Sequence, residues 1–235
     1  VADLDGRMVY ELTGSACEGF SQKMRFVTRM TNQEGAQSIT DLRNTNWEDA
    51  AGKRLNFSSS QYADDKVVEA SQGEATRKDA EKPIAIDLVK PKSTHIDIPT
   101  ATLFPMQHAS LLVTAAKAGT KFVTASVYDG SEKGDKIYLT SAVIGKSAPP
   151  GASTNLASFK GAERLATVQS WPMAISYFET GNDHQDAPPA YELAYRFFAN
   201  GVTTDLAIDY GEFAIKGTLK ELTFLTESSC AAVAH

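Results

Sequence analysis

The stretch YELAYRFFANGVTTDLAIDYGEFAIKG (residues 191–217) decides the fold class of this chain. Apolar or aromatic side chains occupy every second position from Tyr191 to Phe197, which is the period of a strand with one buried face. Asn200-Gly201 then supplies the sequence of a tight hairpin turn, and a second alternating run follows it. The stretch therefore predicts an antiparallel hairpin.

The same period of two recurs along most of the chain. Short alternating runs lie at residues 7–12, 23–30, 82–89 and 93–100. A long antiparallel sheet built from such runs must hide its edges. We therefore expect a mainly β protein with a long antiparallel sheet that curls or closes on itself.

One segment, TLFPMQHASLLVTAAKAG (residues 102–119), has a helical period instead. Phe104, His108 and Leu112 fall on one helical face. Pro105 suits the first turn of a helix, and Gly119 suits the position just beyond the last turn. The segment predicts a central α-helix near residues 105–117.

The chain is expected to form a single domain over residues 1–235. The stretch SAPPGAS (residues 147–153) is rich in residues that interrupt regular structure. If the domain is divided into two halves, the boundary is expected there.

The composition argues against two classes of protein. The 235 residues carry a formal net charge of -6, so a basic surface for nucleic acid is not indicated. No apolar run approaches the roughly 20 residues of a membrane-spanning helix. We therefore expect neither a nucleic-acid partner nor a membrane span.

Sequence motifs for catalysis or for metal and cofactor binding are missing. No H-E-x-x-H or G-x-S-x-G occurs, and His108 is expected to be a partly buried residue with a satisfied ring. His184 stands beside Asp183 and Asp186 in a polar loop, where a solvated surface is a better interpretation than a cation site. We expect no enzyme, no cofactor and no metal.

Two pairs of neighbouring acids are weaker candidates for acid–base chemistry. They are Asp64 with Asp65, and Glu48 with Asp49. In an acidic protein such residues are expected to be ordinary surface carboxylates.

The two cysteines, Cys17 and Cys230, lie 213 positions apart (230 minus 17). Neither sits in an apolar run, where inert core thiols are usually found. The lack of a C-x-x-C excludes a dithiol redox pair, and no histidine lies at the spacing of a zinc site. The residues leave two possibilities open, a disulfide and two free thiols.

Aromatic side chains concentrate towards the C-terminal end of the chain. The candidates for lining a groove are Tyr191, Tyr195, Phe197, Tyr210 and Phe213. Two interpretations are open: the rings fill the core between sheets, or they line a groove for a lipid, a peptide or a partner.

Several longer stretches carry a family resemblance over nearly the whole chain. They are GRMVYELTGSACEGF, MRFVTRM, LFPMQH, VYDGSEKGDKIY, SAVIGK, WPMAISYFE and YELAYRFFANGVTTDLAIDYGEFAIKGTLKELTFL. In this order they resemble the EipB cell-envelope integrity family of alphaproteobacteria. The resemblance leads us to expect a further strand before GRMVYEL, whereas the last residues, AAVAH, match nothing in the family.

The resemblance implies a location, a fold and a role. A member of this family is expected to be periplasmic, to adopt a β-spiral, which is a long curled open-barrel-like antiparallel sheet, and to have no catalytic residues. It also implies a disulfide, because Cys17 and Cys230 match the early and near-terminal cysteines that the family joins. The implied role is maintenance of the envelope.

Three functional hypotheses follow. The first is a non-enzymatic periplasmic protein that supports cell-envelope integrity by binding an unknown periplasmic protein or envelope component. The alternative is a carrier of a lipophilic ligand or lipoprotein in an apolar groove. The third, a hydrolase of envelope polymers, is the least supported, because it needs convergent catalytic groups that the scattered histidines do not suggest.

Overall fold

A computed structural model describes residues 2–151, 159–181 and 187–226, and within these ranges the protein is mainly β with one α-helix, α1 (Pro105–Lys117). The helix occupies the residues that the sequence predicted. The described strands are β1 (Asp3–Ser15), β2 (Gly19–Thr31), β3 (Gln37–Glu48), β4 (Arg54–Ala63), β5 (Lys66–Thr76), β6 (Ile84–Lys90), β7 (Thr94–Ile98), β8 (Phe122–Val127), β9 (Tyr138–Ile144), β10 (Ser170–Glu179), β11 (Tyr191–Phe198), β12 (Thr203–Asp209) and β13 (Ala214–Gly217).

The strands form two antiparallel sheets, and neither sheet is closed. The first has the order β1-β2-β3-β4-β5-β6-β7, so each strand pairs with its neighbours in sequence. The second has the order β13-β12-β11-β10-β9-β8 and is equally sequential. The expected mainly β, antiparallel architecture with a central helix is confirmed, with its strands divided between two sheets.

The hairpin predicted at residues 191–217 is confirmed. Tyr191 begins β11, and the Phe198 N–H donates to the Val202 carbonyl across the turn (2.9 Å). Gly201 has φ +86°, a left-handed conformation that glycine adopts without steric cost. The Asn-Gly pair therefore sets the register of β11 against β12 next to the turn, and a β-bulge between Ala194 and Arg196 shifts it by one residue further along.

The chain divides into two compact units. The described residues of the first unit are 2–106, 127–137 and 226, and those of the second are 107–126, 138–151, 159–181 and 187–225. The boundary expected near residues 147–153 lies within the second unit, and residues 152 and 153 lie outside the described ranges. A single domain over the whole chain stays a prediction.

The core of the first unit lies on one face of β4, β5 and β6. Its buried apolar side chains include Leu55, Phe57, Ala75, Ile84 and Ile86. Alternation along these strands directs every second side chain into this core, as the period of two predicted.

Residues 127–137 complete that core. Tyr128 is fully buried, its ring meets Phe57 edge to face with centroids 5.6 Å apart, and its hydroxyl donates to the Gly134 carbonyl (2.7 Å). The Ser71 hydroxyl donates to the Gly130 carbonyl (2.5 Å). These two buried hydroxyls therefore have partners, which lets the segment lie against an apolar face.

The core of the second unit lies between α1 and one face of β9, β10 and β11. The helix contributes Leu112, Ala115 and Ala116, and the sheet contributes large side chains such as Trp171 and Phe197. The small alanines allow the helix to approach the sheet closely, so the apolar face of the sheet is covered there.

Gly130→Ala is predicted to destabilise the protein through the first core. Gly130 has φ +71°, and a Cβ there would overlap the ring of Phe57. The left-handed backbone costs an alanine about 1–2 kcal/mol, and overpacking adds about 1–3 kcal/mol. Thermal and chemical denaturation measure the loss.

Gly35→Ala is the matched control. Gly35 has φ +83° with no atom within 4 Å of an added Cβ, so the substitution carries the backbone cost alone. Equal losses for the two variants would show that residues 127–137 do not pack against Phe57.

Candidate functional site

Three of the five predicted groove residues belong to a row of aromatic rings in the second sheet. The row runs across β9, β10 and β11 as Tyr138, Tyr177 and Tyr191, and it ends in the β12–β13 connection with Tyr210 and Phe213. Tyr177 and Tyr191 are directly opposite each other and stack with centroids 4.5 Å apart. Tyr210 is 41% exposed, so the row reaches the surface at the β12–β13 connection. We call this set the aromatic row.

The other two predicted groove residues lie in the core of the second unit. Phe197 is buried, and Tyr195 packs against the core with its ring edge-on to Phe197 at 5.8 Å. Burial raises the pKa of Tyr195 above its ordinary value. Sequence reasoning missed Tyr138 and Tyr177, which join the row because the register of β9 and β10 brings them beside Tyr191.

A second apolar surface lies on β1 and β2 in the first unit. Met8, Tyr10 and Leu12 alternate along β1 and are 37%, 55% and 37% exposed. Met8 is opposite Phe26, and Tyr10 is opposite Met24, so the surface continues onto β2. We call these five residues the methionine face. Flexible thioether side chains adapt to irregular apolar partners.

The opposite face of the same strands carries four arginines. They are Arg7 on β1, Arg25 and Arg29 on β2, and Arg43 on β3. We call this surface the arginine face. It continues onto β4, because Asp41 is opposite Tyr62.

Asp41 organises the centre of the arginine face. Arg25 and Arg43 are directly opposite each other, and both donate to the Asp41 carboxylate, with Nη2 to Oδ2 distances of 2.8 and 2.7 Å. Arg43 also lies over the ring of Tyr62, 4.6 Å from its centroid. The two guanidinium groups cover Asp41, which is only 9% exposed, and their hydrogen bonds lower its pKa to about 2.

Three of the four acids considered for catalysis, Glu48, Asp49 and Asp64, have structural partners. Glu48 is buried, so the expectation that it is a surface acid is wrong: its Oε2 accepts the Met106 N–H at the start of α1 (2.7 Å). Asp49 Oδ1 accepts the Arg54 N–H (2.8 Å). Asp64 Oδ1 accepts the Ile39 N–H (2.9 Å). These contacts fix turns and a helix end.

His108 is buried in the second unit, as its place on the helix predicted. Its Nε2 lies 3.2 Å from the Thr140 hydroxyl, which donates to the Ala125 carbonyl (2.9 Å). Because that hydroxyl has one hydrogen, His108 Nε2 carries its own hydrogen and donates to Thr140. Burial lowers the pKa of His108 to about 4, so the ring is neutral at pH 7.

Two other histidines were candidates. His95 is exposed, and its Nδ1 lies 2.7 Å from Asp87, a contact that raises the pKa of His95. His184, with Asp183 and Asp186, lies outside the described residues. Among the residues that the structure describes, no three His, Cys, Asp or Glu side chains form a group that could hold a metal ion.

Cys17 lies in the turn between β1 and β2. The backbone N–H groups of Cys17 and Glu18 point at the Ser15 hydroxyl oxygen (3.4 and 3.3 Å), and Gly19 has φ +83°. Cys230 lies outside the described residues, so the pairing of the two cysteines stays a prediction.

Comparisons with known proteins agree with the sequence resemblance. A family model described as EipB-like matches residues 1–226. The cell envelope integrity protein EipB of Brucella abortus (strain 2308) is 37% identical over 223 residues, which are 94% of this chain and 76% of that protein. A crystal structure of a β-barrel-like protein of a domain of unknown function from Brucella abortus has a TM-score of 0.84 and 34% identity, covering 95% of this chain and 89% of that one.

A helix that could cross a membrane would have to be long and apolar, and the described part of the chain contains none.

The buried His108 predicts a loss of stability in mild acid. Its folded-state pKa is depressed, so its neutral form favours the folded protein above pH 6.5, and that stability is lost as the pH falls from 6.5 to about 4. The loss is up to about 3 kcal/mol. His108→Asn removes the titration, so the free energy of unfolding should fall less steeply between these pH values.

His95→Asn is the control, because the pKa of His95 is raised and its contribution has the opposite sign. Urea unfolding at a series of pH values measures the slopes. Identical slopes for the wild type and His108→Asn would contradict the buried, neutral ring.

Proposed function

The chain belongs to the EipB-like family, and we propose that it is a non-enzymatic periplasmic protein that supports cell-envelope integrity by binding a partner protein or an envelope component. The observation that carries the proposal is the match to the cell envelope integrity protein EipB over 94% of this chain. A similarity of this extent includes both sheets and the helix.

The placement of the acids supports a role without catalysis. The carboxylates of Glu48 and Asp49 accept backbone hydrogen bonds at the start of α1 and in the β3–β4 turn. The Asp64 carboxylate, in the β4–β5 turn, accepts one from the start of β3. His108 is buried against Thr140. General acid–base chemistry needs a titratable group within reach of a substrate, and these groups are engaged by the fold.

The exposed faces of the first sheet support a binding role. The methionine face offers apolar side chains, and the arginine face offers guanidinium groups that are about half exposed. Methionine and arginine are both enriched at protein interfaces. Binding through such surfaces needs no convergent catalytic cleft.

A disulfide between Cys17 and Cys230 is part of the proposal. It fits an oxidising compartment such as the periplasm. It would tie the end of the chain to the β1–β2 turn and close a loop of more than 200 residues, which the chain-entropy account values at about 5 kcal/mol before native strain is subtracted.

Carriage of a lipophilic ligand or lipoprotein is a second candidate, favoured by the methionine face. Met8, Tyr10 and Leu12 hold apolar surface in water, which costs free energy that a bound acyl chain would recover. Native mass spectrometry of protein from cells separates the candidates: a stoichiometric co-purified lipid favours carriage, and bare protein favours partner binding.

Loss of the gene is predicted to weaken the envelope. A deletion strain should become sensitive to detergent and to cell-wall stress, and an exported copy should restore resistance. Copies with His95→Ala or Asp64→Asn should restore it equally, because the proposed role needs no acid–base group. Growth under stress at matched protein levels is the measurement.

A copy confined to the cytoplasm is the control and should not restore resistance. Full rescue by that copy would contradict the periplasmic role. Loss of rescue by His95→Ala in a normally folded protein would contradict the non-enzymatic role.

The proposed disulfide predicts a pattern among cysteine variants. Cys17→Ser and Cys230→Ser should lower the thermal midpoint by similar amounts, and the double variant should be little worse than either single variant. The losses should be similar and should not add, because all three variants lose the same disulfide. Calorimetry under non-reducing conditions measures them.

Thiol titration of the unfolded, unreduced wild type should find no reactive thiol. Two titratable thiols, or additive losses in the double variant, would show that the two sulfurs are not joined.

A further inference from the structure

The arginine face carries more positive than negative charge, although the chain as a whole has a net charge of -6. Its four arginines are paired with two carboxylates, Asp5 and Asp41, which leaves an excess of two positive charges at its centre. Asp3, at the start of β1 on the same face, lowers the excess over the whole face to one. At its margin, Lys23 pairs with Glu11 at 3.5 Å and adds none. The charge distribution is therefore locally opposite to that of the whole chain.

The strand register determines where the excess positive charge lies. Arg25 and Arg43 are directly opposite each other, an arrangement of like charges that destabilises a sheet unless an anion lies between them. Asp41 supplies one negative charge for the two arginines. The pair keeps one uncompensated positive charge on two guanidinium groups that are both bonded to Asp41.

Arg7 supplies the second uncompensated charge. It is opposite Val27, so it lies diagonally between Arg25 and Arg29 on the same face. Arg29 is paired with Asp5 through Nε and Nη2 (3.0 and 3.2 Å), whereas Arg7 has no ion pair among the described residues. Arg7 and the Arg25–Arg43 pair therefore lie side by side.

Exposed aliphatic side chains surround these charges on the same face. Val9 is opposite Arg25, Ile39 is opposite Arg29, and Val67 is opposite Tyr62. All three aliphatic side chains are exposed. Basic side chains interleaved with exposed apolar ones are typical of surfaces that rest on an anionic bilayer, where charge attracts and apolar groups insert.

We propose that the arginine face binds the phosphate-bearing headgroups of an anionic lipid surface, with Val9 and Ile39 entering the interface. The proposal deepens the proposed function and rests on it, because it makes the envelope component a membrane surface. Asp64 and Asp65, in the turn after β4, bound the face, so β1, β2 and β3 make the main contact.

Co-sedimentation of the purified full chain with vesicles tests the proposal. Phosphatidylcholine vesicles containing phosphatidylglycerol should bind the protein, and pure phosphatidylcholine vesicles should not. Binding should fall as sodium chloride rises from about 0.1 M to about 1 M, because the Debye length falls from about 10 Å to about 3 Å.

Two single substitutions should move the affinity in opposite directions. Arg7→Gln removes one positive charge and should weaken binding about five-fold, and Asp5→Asn releases Arg29 and should strengthen binding about five-fold. Opposite shifts in the two variants are an outcome that partial unfolding of both does not produce. Both residues are exposed, so we expect folding to be retained, and an unchanged thermal midpoint checks it.

Matched controls change the same charges elsewhere. Lys216→Gln and Glu212→Gln lie on or beside β13, alter the net charge equally, and should leave vesicle binding unchanged. Val9→Ser should weaken binding, whereas Val143→Ser on β9 removes a similarly exposed valine and should not.

Three results would overturn the proposal: equal binding to both kinds of vesicle, equal effects of Arg7→Gln and Lys216→Gln, or release from vesicles by inorganic phosphate at matched ionic strength. The last result would indicate a site for free phosphate. The assay uses purified protein, so its failure leaves the envelope-stress assay, and the proposed function, to be judged separately.

Discussion

Each of the two sheets has one face of alternating apolar side chains, and the need to remove that face from water is the constraint on which the rest of the structure depends. The first sheet is covered by residues 127–137, with Tyr128 fully buried against Phe57. The second is covered by α1 through Leu112 and its alanines. Burial of apolar area is the dominant favourable contribution to folding, so each unit has its own source of stability.

The same constraint decides which surfaces remain for binding. Residues 127–137 cover the apolar face of the first sheet at β4, β5 and β6, so the methionine face of β1 and β2 stays partly exposed. The arginine face lies on the opposite side of β1, β2 and β3 and is also exposed. On the arginine face a single buried carboxylate, Asp41, fixes two arginines without neutralising both. In the interior, His108 is held by its hydrogen bond to Thr140. The side chains available for binding are therefore those on the exposed faces of the first sheet.

Local sequence patterns predicted the strands and the helix, whereas the burial of individual side chains depends on their cross-strand partners. The period of two predicted strands such as β11, and the helical period together with Pro105 and Gly119 predicted α1 to the residue. Nothing local distinguishes Phe197, which is buried, from Tyr210, which is exposed. Asp41 stands among polar neighbours and resembles a surface acid, because its burial depends on the register that brings Arg25 opposite Arg43. Registers join residues that are distant in sequence, so they are not visible in any short window.

Hydrogen–deuterium exchange of the native protein tests the two-core account most directly, because amide protection reports local opening. The account predicts two separate groups of slow amides, one on β4, β5 and β6 and one on β9, β10 and β11. It also predicts faster exchange along β1 and β13, each of which pairs with one neighbour among the described strands. Slow exchange confined to one sheet, or β1 amides as protected as those of β5, would contradict it.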